Sequence, residues 1–192
     1  MNNYYSHNGE DWVIDQLLEG LGIKTGWFVD VGAWDGIYLS NTYRLVHQGW
    51  QGVEVEGDLN RYEQLFKNME KFKVWCVCSM VQAKGIAGLD RLLQNTPVPQ
   101  DFEVLSVDVD SWDYWIWYYL EKYSPKIVVI EIDGGYADDE EWIQPEDRPA
   151  RIRRRKFNGA SRFSMNKLAE KKGYRLVCDP GNMIYLRNDL WK

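Results

Sequence analysis

The stretch LSVDVDSWDYW, residues 105–115, gathers Asp108, Asp110 and Asp113 at the end of an apolar run. A second apolar run, KIVVIEID, ends on Glu131 and Asp133 with the same two-residue spacing. Burying a carboxylate is costly unless it is paired, hydrogen-bonded or bound to metal. Residues i and i+2 share one face of a strand, roughly 6–7 Å apart, and neighbouring parallel strands lie about 5 Å apart. If both runs are strands of one sheet, Asp108, Asp110, Glu131 and Asp133 converge at its edge. Three uses compete for such a group. One carboxylate can take the proton of an acceptor hydroxyl. Asp108, Asp110 and Glu131 can hold a divalent metal such as Mg²⁺, which prefers hard oxygen ligands. Or the acids serve the fold, with Asp110 capping a helix and Asp113 in its first turn, where the helix dipole favours negative charge. Asp113 is assigned to the helix start; Asp108, Asp110 and Glu131 are carried as the catalytic candidates.

A further constellation lies upstream. VDVGAWDG, residues 29–36, carries Gly32 and Gly36 in a turn that also holds Asp30 and Asp35. The nicotinamide-dinucleotide fingerprint is G-x-G-x-x-G opening into a helix, with the pyrophosphate at the helix N-terminus. Here the spacing is G-x-x-x-G, and two carboxylates would repel a pyrophosphate. GVEVE (52–56) then ends on Glu56, where an acid commonly grips ribose hydroxyls. An acidic glycine turn followed by a ribose acid suits S-adenosylmethionine, which has a cationic sulfonium and an amino group but no phosphate.

These residues need elements to position them. Apolar periodicity predicts a helix over 10–21, capped by Asn8 and followed by Gly22. Strands are predicted at WFVDVG, GVEVE, VWCVC (74–78), FEVLSVDV (102–109) and KIVVIEI (126–132). Between them fall a helix over 40–48, one capped by Asp58, a short one over 88–94, and one capped by Ser111 that stops at Ser124–Pro125. Residues 133–159 read as a long loop, functional or mobile. Ser161 caps a last helix, 162–172, closed by Gly173, and YRLVCD and NMIYLRN flank a Pro-Gly turn as an antiparallel hairpin. Repeated βα units imply a parallel sheet with helices on both faces.

Composition bounds the function. The 192 residues suffice for one domain, with 45% hydrophobic and 27% charged residues. A net charge of -6 argues against a general nucleic-acid or anionic-membrane binder. The three cysteines are expected to be small buried residues of a reduced protein, since C-x-C in an apolar run is no disulfide framework. No apolar stretch reaches 18 residues and MNNYYSHNGED is polar, so a soluble, cytoplasmic protein is expected. RPARIRRRK places six cations in residues 148–156, read as a solvated loop pairing with ADDEE, as a lid over an acidic acceptor or, against the overall charge, as a nucleic-acid contact.

The stretches YSHNGED, GWFVDVGAWDGIYLSNTYRL, GWQGVEVEGD, LSVDVDSWDYWIW, KIVVIEID and NGAS resemble, in order, the FkbM-type S-adenosylmethionine-dependent methyltransferases. The resemblance implies a three-layer α/β, Rossmann-like class I methyltransferase fold over residues 1–192. Its seven-stranded sheet would be mostly parallel, with an antiparallel C-terminal hairpin strand and a helical cap at residues 1–25. It implies O-methylation of a sugar-like small molecule or glycan, acidic if the basic loop takes part. Asp30, Gly32, Ala33, Gly36, Ser40, Asn41 and Glu56 would line the cofactor cleft. Trp34 stands where relatives usually carry a small polar residue such as Asn, and Ser111–Trp112 replaces a usual Gly–Asn. These departures point to a different acceptor, with His7, Trp34, Trp112, Asp133, Arg153 and Arg154 as its candidate contacts. His7 is read as a polar contact, since relatives often carry Gln there. An inactive cofactor-binding module and, behind it, a nicotinamide-dependent oxidoreductase are the alternatives.

Overall fold

The helices and strands alternate as the periodicity demands. The computed structural model describes residues 2–132, 134–147 and 158–191. Chain order is α1 (Glu10–Gly20), β1 (Trp27–Val31), α2 (Tyr43–His47), β2 (Gln51–Glu56), α3 (Leu59–Met69), β3 (Val74–Cys78) and α4 (Leu89–Leu93), continuing as β4 (Val104–Val107), α5 (Asp113–Tyr118), β5 (Ile127–Ile130), α6 (Arg162–Lys172), β6 (Tyr174–Cys178) and β7 (Met183–Arg187). The strands form one sheet in the order β3-β2-β1-β4-β5-β7-β6. β1 to β5 are parallel, and β7 is antiparallel to both β5 and β6. β6 therefore runs with the first five. The hairpin is present, but β7 is inserted inside the sheet and β6 forms the edge.

Helices cover both faces, giving three layers. α1, α2 and α3 bury Ile14, Leu45 and Leu65 against Phe28, Val104 and Val129. α4, α5 and α6 bury Leu93, Trp117 and Met165 against Val31, Leu105 and Val128. β5, IVVI, is buried throughout, as a central strand with covered faces must be. β3 lies at the opposite edge, so Cys78 is exposed and Cys76 and Cys178 only half-buried, not the buried cysteines expected. Among the described residues no helix is long and apolar enough to cross a membrane.

Asp58 caps α3 by accepting the N–H groups of Asn60 and Arg61, and Ser161 caps α6 through Ser164 N. Elsewhere the caps differ from expectation. Gly9, not Asn8, precedes α1, at φ 92, and the Glu10 carboxylate accepts the Asn8 N–H at 2.8 Å. The expected helix over 40–48 shortens to Tyr43–His47 because Leu39 adopts φ 55 and Ser40 Oγ accepts the Thr42 and Tyr43 N–H groups as a turn. β4 stops at Val107, and Ser111 does not cap α5, which starts at Asp113 with its Trp112 N-cap making no side-chain bond.

A candidate ligand cleft at the sheet's switch point

Chain direction diverges between β1 and β4, since β1 leads to β2 on one side and β4 lies on the other. In such sheets the crevice beyond the strand ends receives ligands. Here the loops after β1, β2, β3 and β4 enclose a cleft of about 460 Å³, a size ordinary for a small-molecule site.

Gly32 makes the first wall. It sits at φ 87, and a Cβ there would run into the carbonyl oxygen of Asp108. Its N–H and that of Ala33 both donate to Val55 O, at 2.9 and 3.1 Å, tying the turn to β2. Glu56, buried at the end of β2, accepts the Trp34 N–H at 2.9 Å and the Asp58 N–H at 2.7 Å. Gly36 lies behind the cleft and is not among its lining residues: a Cβ there would strike Met69 and Leu65 of α3. Its role is helix packing, which corrects the expectation that it lines the cleft.

Among the described residues the non-glycine positions with positive φ are Trp34 (54°), Leu39 (55°) and Asp110 (66°), and all three line this cleft. Such backbone persists only where surroundings over-determine it, and it clusters at functional sites. The strain at Asp110 has a visible cause. Asp113, buried at the first residue of α5, accepts the Val109 N–H at 2.9 Å and the Ser111 N–H at 3.1 Å, and so folds the chain back. Asp110 thus neither caps a helix nor continues the strand, and the expected alignment of Asp108 with Asp110 on one strand face is lost. Asp113→Ala would orphan both N–H groups. It should cost about 1–3 kcal/mol for each group left unsatisfied, read as a lower urea midpoint.

The cleft is electrostatically crowded. Asp30 is buried on β1, where it accepts the Thr42 hydroxyl at 2.7 Å and a hydrogen bond from Ser106. Burial first, then the charges of Asp108 and Glu56, push its carboxyl up to about 6 against the pull of those hydroxyls. Asn41 Nδ2 donates to the same Ser106 at 3.2 Å. Asp108 opens onto the cleft but is walled by protein on its other sides. That crowding and the charge of Asp110 raise its carboxyl, while a hydrogen bond from Asn182 draws it down. Glu131 lies behind it, sharing a hydrogen bond with Asp108 and accepting the Asp110 N–H at 3.2 Å. Burial and the three neighbouring acids drive Glu131 strongly upward, so it holds the proton that Asp108 shares.

Asp30, Gly32, Ala33, Ser40, Asn41 and Glu56 thus line one cleft with Asp108, Asp110, Trp34 and Trp112. Glu131 stands behind that lining, against Asp108. His7 is exposed and outside the lining. Asp133, Arg153 and Arg154 lie outside the described residues, as does the basic run of the 148–156 loop. The metal expectation fails on geometry: among the described residues no group of three or more His, Cys, Asp or Glu could hold a metal ion. Asp108 and Glu131 face each other across a shared proton instead. Arg61, Tyr38 and Met80 also line the cleft, and no motif assigns them a role. Only their nearness to Glu56, the glycine turn and the end of β3 could have marked them.

The residues present fit S-adenosylmethionine. The glycine cradle admits close backbone approach, and the acids suit a cationic ligand bearing hydroxyls. No protein-family model and no curated protein sequence matches the chain. Solved structures do resemble it. One from Staphylococcus aureus, assigned to a caffeoyl-CoA O-methyltransferase, aligns at a TM-score of 0.60 and 12% identity over 92% of this chain and 82% of its own. The S-adenosylmethionine-bound CalS10, an amino pentose methyltransferase of calicheamicin biosynthesis from Micromonospora echinaspora, aligns at 0.55 and 11% over 94% and 91%. A TehB-like S-adenosylmethionine-dependent methyltransferase from Corynebacterium glutamicum aligns at 0.52 and 10% over 91% and 86%. At these identities the likeness is one of architecture: the chain has the Rossmann-like fold of the S-adenosylmethionine-dependent methyltransferases.

Proposed function

We propose that this chain is an S-adenosylmethionine-dependent methyltransferase of the FkbM type, and that it methylates a hydroxyl of a sugar-like small molecule or glycan. The observation that carries the reading is the placement of Asp108. It lines the cleft beside the Gly32 turn, in the same lining as Asp30 and Glu56. The motif resemblance and the sugar acceptor named for CalS10 support the same reading.

Glu56 and Asp30, with the Gly32 turn, would hold the cofactor. When bound, it supplies an activated methyl group. The chain's own residues do the rest. A sugar hydroxyl is too weak an acid to lose its proton unaided, so Asp108 takes that proton. The protein packed around it and the charge of Asp110 make its carboxylate, though open to the cleft, a stronger base than a solvated one. Glu131, protonated, donates to Asp108 and fixes its orientation. Trp34 and Trp112 bound the side on which an acceptor enters, and orientation within the cleft supplies much of the remaining rate.

Calorimetry with S-adenosylhomocysteine should show binding to the wild type. Asp108→Asn should retain that binding and lose about 10²–10⁴-fold in turnover on an acceptor found by screening sugars with labelled methyl donor. Wild-type turnover should fall as pH drops and Asp108 protonates. Asp110→Asn keeps the left-handed backbone, which Asn tolerates, and tests whether the second acid shares the role. Full activity in Asp108→Asn removes the general base. Binding without turnover on any acceptor makes the chain an interaction module, and binding of NAD in place of S-adenosylhomocysteine makes it an oxidoreductase.

A further inference from the structure

The acids of the cleft leave one conspicuous exception. Asp30, Glu56, Asp58, Asp108 and Asp110 line it, and among its described lining residues the single cation is Arg61. Arg61 lies in the first turn of α3, with its guanidinium carbon 3.6 Å from the centroid of the Trp34 ring. No carboxylate among the described residues pairs with it. The two acids that precede it between β2 and α3 are turned to backbone: Glu56 accepts the Trp34 and Asp58 N–H groups, and Asp58 accepts those of Asn60 and Arg61 itself. Stacking engages the face of a guanidinium and leaves its in-plane N–H donors open, the geometry that matches a carboxylate or phosphate.

The surface beneath is equally unusual. Trp34 holds a bulky side chain on left-handed backbone at φ 54, yet remains 42% exposed. Tyr38, 61% exposed, lies beside it with ring centroids 6.0 Å apart. Two open aromatic rings and a guanidinium with free donors therefore share one wall of the cleft. That wall complements a ring with an apolar face and an anionic substituent.

We infer that Arg61, stacked on Trp34, recognises the anionic group of a sugar acceptor whose ring lies against Trp34 and Tyr38. The inference rests on the methyltransferase reading and names the acceptor class within it. An acidic sugar would enter a largely acidic cleft only where this one cation faces it, so Arg61 would also set which hydroxyl reaches Asp108.

The test is saturation-transfer NMR on the full chain, with methyl glucuronate, glucose 6-phosphate and neutral methyl glucoside, each with and without S-adenosylhomocysteine. The expected result is a signal several-fold stronger for the two anionic sugars than for the glucoside. Arg61→Gln should reduce it to the glucoside level, as should 0.5 M NaCl, roughly as expected when an exposed ion contact is screened. Arg61→Lys should recover part of it. Equal signals for acidic and neutral sugars, or unchanged discrimination in Arg61→Gln, overturn the inference. So does an Arg61→Gln variant that loses S-adenosylhomocysteine and keeps sugar discrimination, which would give Arg61 to the cofactor. Thermal unfolding of each variant checks its fold, and Tyr38→Ala supplies an independent weakening of the same wall. Failure of the wild type to bind S-adenosylhomocysteine sinks the methyltransferase reading separately, since the sugars are also scored without it.

Discussion

Gly32→Ala is expected to destroy the cleft and to destabilise the chain by about 3 kcal/mol or more, through left-handed strain plus overpacking. The added methyl meets the carbonyl oxygen of Asp108, a backbone atom at the exit of the neighbouring strand, and backbone cannot swing aside as a side chain can. Either β1 and β4 part at their carboxyl ends or the turn lifts away from Val55. Both remove the cradle, so S-adenosylhomocysteine binding should vanish even where folding survives. Gly22→Ala is the matched control. Gly22 has φ +72, but a methyl added there would meet nothing within 4 Å, so its cost should be limited to about 1–2 kcal/mol for the left-handed backbone. Chemical unfolding of the two variants in parallel separates the collision from the conformation. Similar losses in both would remove the steric account.

The second large effect concerns Glu54, which is completely buried on β2 with neither side-chain oxygen hydrogen-bonded. It neighbours Asp30 in register on β1 and Cys76 on β3, on the face that α3 covers. Burial first, then the charges of Asp30 and Asp35, raise its carboxyl well above the ordinary 4.5. The folded chain holds this proton where the unfolded chain has released it. Its contribution to stability is therefore fully present below pH 4.5 and is lost as pH rises through the folded value. Glu54→Gln removes the ionisation and should flatten that part of the decline. Glu54→Leu also removes the unsatisfied oxygens and should stabilise by about 1–3 kcal/mol at pH 8. Urea unfolding at pH 5 and pH 8.5 checks both. A wild-type-minus-variant difference that does not change between the two pH values contradicts the assignment.

Glu54 also shows where reading a sequence stops. GVEVE alternates, and alternation in a one-sided sheet sends its acids to water. This sheet has helices on both faces, so the same alternation buries Glu54 in the α3 layer. Gly32 and Gly36 look equivalent in VDVGAWDG; only the tertiary neighbours tell that one faces the cleft and the other faces Met69. Local chemistry was legible where it acts locally, as in the Asp58 and Ser161 caps, the Gly173 stop and the Pro-Gly hairpin. The turn at Asp110 was not legible, because its cause is a carboxylate three residues onward that gathers two N–H groups against the grain of β propensity. Nor could the hairpin announce which of its strands docks on β5. The motifs that suggested Asp30, Gly32 and Glu56 were readable because ligand chemistry constrains residue type and spacing together. Arg61 obeys no such spacing and emerged from its contact with Trp34.

The position of β7 has a consequence for synthesis. In the sheet, β6 pairs with β7 alone, and β5 meets its outer neighbour only through β7. The strand that joins them is the seventh to leave the ribosome. Until it emerges, β5 has an open edge and β6 has no ladder to join. The sheet is complete only once this last strand has paired along both of its edges, with β5 on one side and β6 on the other.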